Sequence, residues 1–132
     1  MPIEVSWLND DQSVILLVFP QRWTWREFHD AKMTADGMMD MVEHDCALIL
    51  TGPPNVVMPE NVLTNARAMI DQKHPRAQVL VIVAPNRFVH ALVNMLLRLS
   101  SEASRSARIV ASMEAAQVKL MQMGFLHEEK IL

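Results

Sequence analysis

The chain has 132 residues, with 12 Lys and Arg against 15 Asp and Glu for a net charge of −3. That length closes a core without disulfides or a metal and fits one domain over 1–132, while the acidic balance weighs against a nucleic-acid partner. With the single cysteine Cys46, no apolar run near the ~20 residues of a spanning helix and no signal-peptide pattern, the expectation is a cytoplasmic protein without stable membrane insertion.

Residues 3–8 alternate, with Ile3, Val5 and Trp7 facing one way and Glu4 and Ser6 the other. This predicts a half-exposed edge strand. The polar run 9–12 turns the chain back into 13–19, which is apolar on both faces, so an antiparallel hairpin with a buried second strand is predicted. Pro20 stops it. Thr24-Trp25-Arg26-Glu27 has the form of a capping box, and Trp23 and Phe28 hold the positions of a hydrophobic staple. A helix over 25–42 follows, with Phe28, Ala31, Ala35, Met38, Met39 and Val42 as its buried stripe and Met33 and Met41 off it. Gly37 inside it costs roughly 1 kcal/mol relative to alanine and is a candidate bend.

Residues 46–51 form the third predicted strand, broken by Gly52-Pro53-Pro54-Asn55. Pro59 suits the first residue of a helix in which Val62, Leu63, Ala66, Met69 and Ile70 repeat at helical spacing. A strand over 78–84 contains the unbroken apolar run 79–83, the pattern of a central parallel strand covered on both faces. Asn86 is placed to cap a helix that runs to about Leu99. The polar connection 100–106 leads to a fifth strand over 107–111. Ser112 then caps a last helix ended by Gly124, where Phe125 can close on Leu120, and 125–132 is a short tail. Strands alternating with helices require crossover connections. The predicted fold is therefore α/β: a mixed, mostly parallel five-stranded sheet with an N-terminal antiparallel hairpin and four helices.

This element order, together with Trp23-Thr24-Trp25-Arg26-Glu27 and Ala84-Pro85-Asn86-Arg87-Phe88-Val89, resembles the STAS domain, the fold of anti-sigma-factor antagonists, and small bacterial STAS-like proteins in particular. The resemblance implies a non-catalytic signalling module that docks a regulatory protein. In that family a phosphorylatable serine opens the helix after the third strand. Leu50-Thr51-Gly52 is similar to the family's strand ending, which sets the equivalent position near Met58-Pro59-Glu60-Asn61. Glu60 stands about where the acceptor would be, close to the positive end of a helix. A carboxylate is not switched by a kinase, so what the resemblance implies here is docking without the phosphoswitch.

Chemistry-bearing residues are sparse. His44-Asp45-Cys46 adjoin in sequence, but a nucleophilic thiol needs its base held across the fold, and Cys46 opening a strand also suits an ordinary buried thiol. His29, His74, His90 and His127 show no metal-ligand spacing, and 3 glycines cannot build a phosphate loop, so neither metal nor cofactor is expected. Open α/β sheets bind ligands at the carboxyl ends of their strands, which makes Thr51, Gly52, Asn55 and Asn86 a candidate polar crevice. Arg87, Arg98, Arg105 and Arg108 against Glu102 give the 86–108 region a local positive charge, open to an acidic partner or simply complementing a helix terminus.

The helix over 87–99 is apolar around about 240° of its circumference, with Arg87, His90, Asn94 and Arg98 in the remainder. One sheet face needs an apolar arc of only about 100°. A homodimer through this helix is therefore expected, with Val89, Val93 and Leu97 in contact. The alternative is coverage by the last helix or the 125–132 tail. The 11 methionines, with no tyrosine, suit irregular apolar space as well as a core. Three functions follow: an interaction module, a binder of a lipid or other apolar small ligand, and an enzyme using Cys46 or a histidine. A cavity between the 33–41 and 88–99 segments would favour the second over the first. A Cys46 buried away from every imidazole would count against the third.

Overall fold

A computed structural model of the chain describes residues 2–99 and 105–127. Among these, five strands, β1 (Glu4–Trp7), β2 (Val14–Val18), β3 (Cys46–Thr51), β4 (Ala77–Val83) and β5 (Ala107–Val110), form one sheet in sequential order. β1 runs antiparallel to β2, and every later pair is parallel. Four helices, α1 (Trp25–Asp40), α2 (Val62–Asp71), α3 (Arg87–Arg98) and α4 (Met113–Gln122), complete the α/β fold read from the sequence.

The register sorts the strand residues into two faces. Trp7, Ile15, Leu48, Leu80 and Ala107 stand in one row across the sheet, and Val5, Leu17, Leu50, Ile82 and Ile109 in the next row of the same face. α1 covers the β1–β2 side of this face with Ala31, Ala35 and Met39, and α3 covers the β4–β5 side with Val89 and Val93. The opposite face, which includes Val14, Ala47, Ile49, Val79 and Val81, is covered by Ala116 and Leu120 of α4 and by Leu126.

The helix ends follow their local chemistry. The amide of Glu27 donates to Thr24 Oγ1 at 3.1 Å and the amide of Thr24 to Glu27 Oε1 at 3.0 Å, which completes the capping box. Trp23 and Phe28 meet edge to face with ring centroids 5.7 Å apart. Asn86 and Ser112 each accept from the amide three residues on. At the end of α4, Phe125 N donates to Leu120 O at 2.9 Å and Gly124 N to Met121 O at 3.1 Å. With Gly124 at φ 86°, this is the Schellman closure.

Two expectations need correction. The helix after β3 does not begin at Pro59. Asn61 takes a left-handed φ of 58° and the helix starts at Val62, so Glu60 lies outside it. β4 is not equally covered on both faces: Val79, Val81 and Val83 are buried, but Leu80 and Ile82 are only half-buried. The side chain of Ile70, the connection 100–104 with Glu102, and the tail residues 128–132 lie outside the described residues.

One unforeseen polar element ties the two ends of the chain together. Asn9 is buried (1% exposed), and its Oδ1 accepts from the amides of Ser13 and Val14 at 3.2 and 3.1 Å. Its Nδ2 donates to Ser13 Oγ at 2.7 Å, and that hydroxyl donates to Phe125 O at 2.6 Å.

Candidate functional site

Half-burial is shared by Leu48, Leu50, Leu80 and Ile82, the residues of β3 and β4 beneath α2. None of the described α2 side chains is buried, and the helix leans on α3 rather than seating on the sheet. Val62, Ala66 and Met69 look across a gap to the strands.

That gap is a partly enclosed cavity of about 260 Å³, lined almost wholly by apolar side chains. α1 contributes Trp25, Phe28, Ala35 and Met39, and α3 contributes Val89, Val93, Leu96 and Leu97. It runs the length of the strands, from Phe19, Gly52 and Pro85 beyond their carboxyl ends to Ala77 and Ala107 at the start of β4 and β5. The polar groups on its wall are few: Lys32 and Asp36, paired with each other at 2.7 Å, with Lys73, His74, Thr51 and Ser106. An engineered cavity of ~150 Å³ holds benzene, so 260 Å³ accommodates about ten carbon atoms.

Phe19, Trp23, Trp25 and Phe28 form an aromatic group on the wall. Trp23 meets Phe19 and Trp25 with centroids 4.9 Å apart at angles of 71° and 78°. Trp23 Nε1 is buried without a hydrogen-bond partner among the described residues.

α2 is tied to α1 at both ends. Ahead of α2, Trp25 Nε1 donates to Glu60 O at 2.6 Å and Val57 N to Gln21 O at 2.7 Å. Beyond it, His74 Nε2 lies 2.8 Å from Asp40 Oδ1. The amide of Arg76 donates to His74 Nδ1 at 3.0 Å, which leaves Nε2 as the protonated nitrogen that donates to the carboxylate. Between these ties the two helices face the cavity.

The structure distributes the sequence-predicted residues as follows. Thr51 and Gly52 line the cavity, whereas Asn55 and Asn86 are not on its wall. Asn55 is exposed, and Asn86 is engaged by the Val89 amide at 2.9 Å and by its own donation to Pro54 O at 2.8 Å. Glu60 is exposed and serves through its backbone carbonyl. Val89 (6% exposed) and Val93 (7%) are packed with Ile82 and Ile109, and half-buried Leu97 joins them, so these three face the sheet and not a second copy. Neither α4 nor the described part of the tail covers them, since both lie on the other side of the sheet.

Cys46 is fully buried, with Sγ 3.8 Å from the carbonyl oxygens of Gln12 and His44. Burial pushes its thiol up and the Asp45 charge adds to that, the reverse of an activated nucleophile. The exposed His44 ring turns to Asp45 O at 3.1 Å. His44 and Asp45 share a separate cleft with Asp11, Ser13 and His127, and no described group of three His, Cys, Asp or Glu side chains could hold a metal ion.

Set against protein-family models, curated proteins and solved structures, the chain matched none. The cavity's meaning therefore rests on its own geometry.

Proposed function

We propose that this protein binds an apolar small molecule, such as a lipid chain, between the sheet and the α1–α3 layer. The observation that carries the reading is the cavity over β3 and β4. A residual void destabilises by about 24 cal/mol per Å³, so 260 Å³ left unfilled would forgo on the order of 6 kcal/mol of packing. That is comparable to the whole stability of many domains. Because the cavity is partly open, the figure is an upper bound, yet it is large enough to make a bound molecule consequential for the fold. An interaction module of the kind the STAS resemblance implies has no need of this space, so between the two readings the cavity weighs for ligand binding. The elongated wall suits an extended chain, and the scarcity of polar lining suits a ligand held chiefly by burial.

The test is occupancy of the cavity by a side chain. Ala66 is half-buried on α2 and faces the gap. Wild-type protein is expected to take up the neutral fluorophore naphthalene saturably, one per chain, and to release it to eight- to ten-carbon acids or alcohols, the size that the cavity admits. Ala66→Phe should raise the melting temperature and lose that uptake. Undiminished uptake by a folded Ala66→Phe protein would contradict the proposal.

A further inference from the structure

α3 is divided around its circumference into three strips. Val89, Val93 and Leu96 are buried, and His90, Asn94, Arg87 and Arg98 make a polar strip. The third strip is apolar and open to solvent: Phe88 is 68% exposed, Leu99 just past the helix end 53% and Met95 46%, with exposed Ala91 beside them. At ~100° per residue these four fall within about 80° of one another, adjoining the arginine side. Large apolar side chains exposed together mark a contact surface.

Charge narrows the choice of partner. α3 carries two arginines and no carboxylate, whereas α1 carries Arg26 and Lys32 against Glu27, Asp30, Asp36 and Asp40. The helix that exposes the apolar strip is thus a cationic element of a chain whose net charge is −3. A two-fold partner would set the strip against its own image. In an antiparallel pair, Arg87 and Arg98 of both copies would then line one seam, with no acid on the helix to answer them.

We propose that α3 docks this protein onto an anionic lipid surface, with Phe88, Met95 and Leu99 entering the headgroup region and Arg87 and Arg98 meeting lipid phosphates. An apolar strip flanked by arginines is the form of a helix that lies in the membrane interface. Twelve residues span only about 18 Å, too short to cross a bilayer and sufficient to rest on one. The same helix lines the cavity with its inner side. Docking would bring that cavity within one helix diameter, about 10 Å, of the acyl layer. The surface binds whether or not the cavity is filled, so this proposal and the ligand reading fail separately.

The experiment is flotation of the full chain with vesicles of phosphatidylcholine containing phosphatidylglycerol, beside vesicles of phosphatidylcholine alone. Binding is expected to the anionic vesicles, weakening as salt is raised. The double change Arg87→Gln with Arg98→Gln should weaken it roughly thirtyfold, from the contribution of each arginine at such a surface. Phe88→Asp should abolish binding at an unchanged melting temperature, and Leu99→Glu reads the same strip if Phe88→Asp disturbs the fold. The proposal is overturned by absence of binding, by equal binding to both vesicles, or by binding that both apolar-strip changes leave intact. A dimer that Phe88→Asp disperses, without vesicle binding, would assign the strip to a second copy and overturn it equally.

Discussion

Asn9 and Cys46 show where single residues depart from what their type announces. In the sequence Asn9 is a turn residue among Asp10, Asp11 and Gln12. In the fold its amide organises the hairpin and reaches the Phe125 carbonyl through Ser13. The partner lies 116 residues away, so no local pattern could have shown it. Cys46 is the opposite case, since a thiol opening a strand is ordinarily buried, and it is. Its native thiol holds its proton more tightly than the unfolded one, chiefly through burial. The resulting stabilisation is complete below the unfolded thiol value of ~8.5 and is lost as pH rises through the raised native value. The melting temperature should therefore fall above about pH 8.5, less steeply in Cys46→Ala. At neutral pH a disulfide reagent should modify native Cys46 far more slowly than the urea-unfolded chain, and equal rates would show an accessible thiol.

At the scale of elements, caps were the most legible feature. Thr24 and Glu27 make the reciprocal bonds that their spacing requires, Asn86 and Ser112 start their helices where expected, and Gly124 ends the last one. Thr24→Ala should cost about 1 kcal/mol and Thr24→Ser little, measured by urea denaturation. If both leave the midpoint in place, the cap does not hold α1. The start of α2 was misplaced because proline at a first turn is a preference, whereas the left-handed Asn61 sets the actual boundary. For α3 the sequence shows a wide apolar arc but not which part of it faces inward. Val89 and Val93 turned out to be the core side and Phe88, Met95 and Leu99 the outer side. Val93→Asp should accordingly place an unpaired charge in the core and unfold the protein, seen as loss of the cooperative thermal transition. A folded variant would place Val93 at a surface.

For the molecule as a whole, alternation and strand-sized apolar runs were enough to specify a mixed sheet with a leading hairpin. The cavity was not legible, because periodicity shows which residues are apolar and not how closely two layers approach. Leu80 and Ile82 read as covered strand residues, yet with Leu48 and Leu50 they front an open space. The reason lies in side-chain size: α2 offers Val62, Ala66 and Met69 toward the sheet, and the short Ala66 side chain at their centre cannot close the gap. The most direct measurement is a native mass spectrum of the protein purified from its own host under mild conditions. The ligand reading predicts the chain mass plus one releasable apolar molecule, or, for protein stripped of it, stoichiometric uptake of an added eight- to ten-carbon acid. A bare chain that takes up no such molecule at saturating concentration would contradict it.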